Sequence, residues 1–127
     1  MRLLVDTHVL IALAEQKPVQ QSVMDVMNDF DTDLYASVAS LWEIAIKVRL
    51  GKLPLKMPLD AFPGFLSKAR FALVGIRASH ALATSDPEPP TRDPFDRMLL
   101  TQCQIEGLRL VTLDRALVNH PLAWRAP

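Results

Sequence analysis

Short apolar runs that do not alternate with polar residues constrain this chain more than any other feature. Arg2–Val5, Leu34–Ser37, Ala72–Ile76 and Leu108–Thr112 read this way. A strand with one wet face alternates, whereas a strand covered on both faces does not. Between these runs lie segments with helical apolar spacing. Thr7–Glu15 ends before Pro18, and Val19–Phe30 carries Val23, Val26, Met27 and Phe30 on one stripe. Val38–Leu50 carries Leu41, Ile44, Ala45 and Val48, and Gly51 follows where a left-handed cap is needed. Leu59–Ala69, Ala78–Thr84 and Pro94–Glu106 complete the helical set, the last stopped by Gly107. Arg115–Asn119 reads as a final helical turn and Leu122–Trp124 as an edge strand. Strands alternating with helices predict an α/β fold, a mostly parallel sheet with helices on both faces.

The chain's 127 residues leave room for one domain, so 1–127 is read as a single unit. Half the residues are hydrophobic and 22% are charged, which excludes general disorder. The apolar run Val9–Ala14 is far short of the roughly 20 residues a bilayer span requires. Asp6 interrupts the first apolar run, so no signal peptide is expected. One cysteine, Cys103, permits no internal disulfide and fits a reducing, cytoplasmic setting. Fourteen basic residues balance fourteen acidic ones, so attraction to nucleic acid would have to be local.

In parallel sheets, ligands bind beyond the carboxyl ends of the strands. Asp6 ends the first run and Asp114 lies just past the last. Asp93 and Asp96 open the helix before that strand, and Glu43 sits mid-helix between Trp42 and Ile44. Each has a structural reading. Asp6 and Asp114 suit helix caps, and Asp93 followed by Pro94 suits a cap and first-turn pair. Asp96, three residues on, suits a capping box. Glu43 caps nothing, though Lys47 stands at the (i, i+4) position. Taken together, Asp6, Glu43, Asp96 and Asp114 meeting at one rim would share a volume in which they cannot all ionise unaided. An all-oxygen set without a Cys or His cluster points to Mg2+ or Mn2+, and so to metal-dependent phosphodiester hydrolysis. His8, His80 and His120 share no metal-ligand spacing; His8, two residues after Asp6, suits either an RNA contact or, by default, a surface or helix-turn histidine.

The segments LLVDTHVLIAL, SLWEIAIKVRLGKL, RDPFDRMLLTQC and LRLVTLDRAL, in this order along the whole chain, resemble the PIN-domain family, above all its VapC-like ribonuclease toxins. The resemblance implies a PIN-like three-layer α/β/α sandwich. It also implies a Mg2+- or Mn2+-dependent endoribonuclease acting on RNA such as tRNA or rRNA, commonly dimeric and held by a cognate antitoxin. It places the acidic quartet at Asp6, Glu43, Asp96 and Asp114, both as catalytic residues and as metal ligands. Asp93 belongs to a DPFDR form of the motif and is either an outer acid or a cap. Thr7 and Ser40 either orient water and carboxylates or serve as ordinary helix hydroxyls.

From Glu43 to Lys56 four cations, Lys47, Arg49, Lys52 and Lys56, stand against one acid. The stretch suits an RNA backbone, an acidic antitoxin segment or simply solvent. Arg92 and Arg97 flank the acids and suit a scissile phosphate, although Arg97 equally suits pairing with a ligand carboxylate. Trp42, Phe62, Phe65, Phe71 and Trp124 are read as core or interface, and the Val- and Met-rich segment 23–30 as a dimer seam or antitoxin groove. A receiver-like phosphoacceptor domain is a rival, but no lysine follows the last strand and no early acidic pair occurs. A silent α/β binding module is the other rival, opposed by the intact quartet.

Overall fold

The computed structural model describes residues 1–127. Its strands are β1 (Arg2–Val5), β2 (Asp33–Ser37), β3 (Phe71–Val74) and β4 (Arg109–Val111). Its helices are α1 (Thr7–Ala14), α2 (Gln21–Asn28), α3 (Val38–Arg49), α4 (Phe62–Lys68), α5 (Ala78–Leu82) and α6 (Pro94–Glu106). All strands are parallel, in the order β3-β2-β1-β4. The flavodoxin-like receiver order is 2-1-3-4-5, so the receiver reading fails on topology.

Pleating divides the strand residues between two apolar layers. Leu3, Val5, Leu34, Ala36, Phe71 and Val111 face α1 to α4 and pack with Val9, Leu10, Val23, Met27, Ile44, Phe62 and Leu66. Leu4 and Leu110 face the other way, onto Leu99, Leu100 and Cys103 of α6 and onto Leu117. The result is the expected three-layer α/β/α sandwich with an all-parallel sheet, covered on both faces at β1 and β4, while the edge strand β3 leaves Ala72 and Leu73 exposed. Gly107 ends α6 with φ +69, a conformation in which a Cβ would be strained, and its N–H reaches the Cys103 carbonyl.

Several boundaries differ from the periodicity. The third strand stops at Val74, and Gly75 and Ile76 lie outside it. The last register pair is Ser37 with Val74, and beyond it β2 has already turned into α3. Helix α2 ends at Asn28, because Asp29 is extended, and this leaves Phe30 off the stripe and 90% exposed. The segment from Leu59 opens as a 3-10 turn before α4 begins at Phe62. Residues 115–119 form hydrogen-bonded turns, with the Asp114 carbonyl accepting from Leu117 and Val118. The tail makes one parallel bridge, Leu110 with Ala123, rather than a strand. Phe62 and Phe71 are buried as expected, but Trp42 does not enter the core and is 59% exposed. No helix is long and apolar enough to cross a membrane.

Candidate active site

Strand order reverses between β1 and β4, because β2 and β3 lie to one side of β1 and β4 to the other. A crevice opens at the carboxyl ends of strands at such a switch point. Asp6 stands there, with its amide tied to the Val111 carbonyl at 2.9 Å. The pairing of Val5 with Val111 brings Asp6 and Thr112 abreast as the next residues in register.

Asp6 occupies the N-cap position of α1, yet its side chain makes no capping hydrogen bond. Its carboxylate is 1% exposed and turned into the protein. Oδ2 accepts the Thr112 hydroxyl at 2.7 Å, while Oδ1 is buried without a partner. Burial raises the pKa of Asp6 above the ordinary aspartate value and Glu43 adds to it, against the Thr112 hydrogen bond and the neighbouring His8.

Helix α3 contributes from the opposite side. Ser37 caps it by accepting the Ala39 N–H at 3.0 Å. Ser40 and Glu43, one turn apart, both point inward and are buried. The Ser40 and Thr7 hydroxyls meet at 2.8 Å, joining the first turns of α1 and α3. Glu43 is only 3% exposed, so it is not a solvated helix residue, and Oε2 accepts from Lys47 Nζ at 2.8 Å. Lys47 is therefore paired with an acid of the site, with its ammonium still partly exposed.

Helix α6 brings the fourth segment. Asp93 caps it as its sequence context predicts, with Oδ1 accepting from Phe95 N at 2.8 Å and Asp96 N at 3.4 Å. Asp96, buried in the first turn, forms no reciprocal capping-box bond, and its carboxylate accepts no hydrogen bond. Burial, then the charges of Asp93, Asp6, Asp114 and Glu43, push its pKa up to about 7. The acids therefore act on one another. Asp114, half-buried, accepts the Ala116 N–H at 2.8 Å, which realises its turn-capping role. Arg97 Nε donates to the Thr91 carbonyl at 2.9 Å and pairs with no carboxylate, contrary to the ion pair that its position allowed. Arg92 is exposed beside it.

Thr112 is the site residue that the sequence reading missed. Its hydroxyl donates to Asp6 and accepts from Asp114 N at 3.0 Å, so one oxygen positions both strand-end acids. The available signal was a hydroxyl at the end of the strand that pairs with the Asp6 strand.

The donor set suits a hard cation, although no three of these side chains close into a ready metal cage. Lys47 takes one oxygen of Glu43 and a turn amide one oxygen of Asp114, whereas Asp96 accepts no hydrogen bond and Asp6 Oδ1 is buried without a partner. Mg2+ retains several waters and commonly takes only one or two carboxylates, so Asp6 and Asp96, whose charge nothing else compensates, fit it.

Comparison with known proteins agrees with this architecture. Residues 3–121 match the PIN domain family. Among solved structures, one described as a toxin-antitoxin complex from Klebsiella pneumoniae superposes with a TM-score of 0.67 at 18% identity, over 98% of each chain. No curated protein sequence matches significantly.

Proposed function

Because the chain belongs to the PIN domain family, we propose that it is a Mg2+- or Mn2+-dependent endoribonuclease and the toxin of a VapC-like toxin–antitoxin pair, with residues 1–127 as a single nuclease unit. The observation that carries this reading is Asp6, a fully buried carboxylate with one oxygen held by Thr112 and the other left without a partner. Nothing in the fold needs an aspartate there, since it caps no helix and pairs with no cation. Unpaired buried charge at a sheet rim is costly, and its retention points to a ligand that compensates it.

Asp6 and Asp96 are the residues that would hold the ion directly, with Glu43 and Asp114 completing the acidic ring. A bound divalent ion supplies positive charge for the phosphodiester and raises the acidity of water. Thr112 keeps Asp6 in one orientation, and the Thr7–Ser40 bond fixes α3 against α1 so that Glu43 stays at the rim. Arg92, which is exposed, and the part of the Arg97 guanidinium not tied to Thr91 are the cations available to hold the phosphate. A water oxygen bonds to phosphorus in line, its proton passes to a site carboxylate, the P–O3′ bond breaks, and the departing O3′ takes up a proton from solvent. The products carry 5′-phosphate and 3′-hydroxyl ends.

The partner expectation rests on the structural neighbour, which is a toxin–antitoxin complex. A cleft of about 360 Å³ lined by Leu13, Met24, Met27 and Phe65 is an apolar surface open to an antitoxin segment. The active form is a homodimer in the cytoplasm, with tRNA or rRNA as substrate.

End-group analysis of cleaved RNA, with and without EDTA, tests the mechanism. The expected products have 5′-phosphates, and EDTA abolishes them. Cyclic 2′,3′-phosphates, or full cleavage in EDTA, would refute it. Co-purification with the product of a neighbouring small reading frame tests the toxin assignment, which a chain that purifies alone and has no such neighbour would overturn.

A further inference from the structure

The mouth of the acidic site carries an aromatic pair that phosphodiester hydrolysis leaves unused. Trp42 immediately precedes Glu43 on α3, and Phe95 immediately precedes Asp96 on α6. Their rings meet edge to face, with centroids 5.5 Å apart and planes at 77°. The contact bridges the two helices where they deliver their acids to the rim. Phe95 is half-buried, whereas Trp42 is the more open of the two. Trp42 belongs to neither apolar cluster, so core packing does not account for it. Large open aromatics are costly to leave in water, and this edge-to-face neighbour orients the Trp42 ring while leaving it 59% exposed. The other strongly exposed aromatic, Phe30, has a different setting: it follows α2, away from the carboxylates, under the Arg70 guanidinium.

Charge beside the pair agrees with a nucleotide ligand. Arg92 is exposed just before the α6 cap, and Arg97 is steadied through Thr91 in the first turn. A cation for phosphate beside an open π-face is the combination that grips single-stranded nucleic acid.

We propose that Trp42, backed by Phe95, is the stacking platform for an unpaired nucleobase next to the phosphodiester that is cut. This rests on the endoribonuclease reading above and narrows it to single-stranded or looped RNA. Bases in a duplex stack on one another and offer no free face, so a paired segment cannot use this platform. Stacking tolerates every base, so Trp42 selects unpaired RNA rather than a sequence.

The test uses the fact that the chain has two tryptophans. In the Trp124→Phe protein, Trp42 is the sole emitter. The probe is a fluorescein-labelled single-stranded RNA of mixed sequence, about 12 nucleotides long to span a typical single-strand site. It is mixed rapidly with protein and Mg2+ and read before turnover. RNA binding, followed by anisotropy, quenches Trp42 emission, and a duplex of the same length does not. Trp42→Ala raises KM for this RNA roughly tenfold while kcat stays within about threefold, and Trp42→Phe restores most of the loss. Bound RNA that leaves Trp42 emission unchanged, or an unaltered KM in Trp42→Ala, would overturn the proposal while leaving the ribonuclease reading intact. So would a blue shift that grows with protein concentration, together with dimer loss in Trp42→Ala on sedimentation, since the ring would then belong to a seam between copies. A wild-type protein that neither binds nor cuts RNA would overturn both.

Discussion

Helix α6 begins and ends on a buried or half-buried carboxylate, and the two are treated in opposite ways. At its start Asp96 meets other acids and no cation, and its pKa rises to about 7. At its end Glu106 accepts from buried His80 at 2.8 Å and pairs with Arg77, and its pKa is lowered, first by the His80 bond. His80 is itself oriented by the Arg77 N–H on Nδ1 at 3.0 Å, and Arg2 donates to the Glu106 carbonyl. The far end is a closed structural clamp that holds α5 on α6. The near end is left open. Two acids on one helix thus separate by partner, and the uncompensated one is where a ligand has something to supply.

The largest expected effect separates the ends by activity. Asp6→Asn keeps the shape of the acidic end and removes an anionic group, at a cost of roughly 10²-fold or more in kcat for RNA cleavage. Glu106→Gln, at the clamp, leaves kcat within about twofold. Similar losses in the two proteins would end the functional contrast. Stability divides them the other way. His80→Ala deletes a fully buried ring and the bond to Glu106, and the midpoint of thermal unfolding should fall by roughly 5 °C or more. An unchanged midpoint would mean that the clamp contributes nothing.

The pH dependence sharpens the same contrast. Asp96 has a folded pKa near 7 against an ordinary 3.8. Between these values the folded state binds the extra proton, so its stability declines as pH rises from about 4 to 7. Glu106 has a folded pKa below its ordinary 4.5, so its contribution is present above 4.5 and is lost as pH falls through the folded value. Thermal melts of metal-free protein should therefore show Asp96→Asn more stable than wild type at pH 7 and equal to it near pH 4. Millimolar Mg2+ or Mn2+ should raise the wild-type midpoint at pH 7, and Asp6→Asn should lose that rise. Ion-independent melting of the wild type, or a gain in Asp96→Asn that does not vary with pH, would contradict the open-site description. The smallest effect belongs to Asp93, whose carboxylate is occupied by the cap. Asp93→Asn should leave activity within a fewfold, because asparagine caps a helix as well as aspartate does, while Asp93→Ala should cost about 1 kcal/mol of stability. A drop in Asp93→Asn as deep as that of Asp6→Asn would move Asp93 to the cation.

What the sequence determined by itself was the layered fold and the ends of most elements. Apolar runs of strand length and stripes of helical spacing are local signals, and so are Asp93-Pro94 at the start of α6 and the glycines that follow α3 and α6. It also placed Asp6 and Asp114 at strand ends, because position along a run is readable in one dimension. The tertiary structure decided what each acid does. Asp6, Asp93 and Asp114 all look like caps in sequence, yet only Asp93 and Asp114 spend a carboxylate oxygen on a backbone amide. The difference for Asp6 comes from Thr112, 106 residues away, which reaches it only through the parallel pairing of β1 with β4. Glu43 and Trp42, adjacent in sequence, part for the same reason: the side of α3 that meets Thr7 buries the acid, while the indole meets Phe95 at the open rim. Compensation of a charge depends on distances through space, and those distances exist only once the strands have paired and the helices have docked.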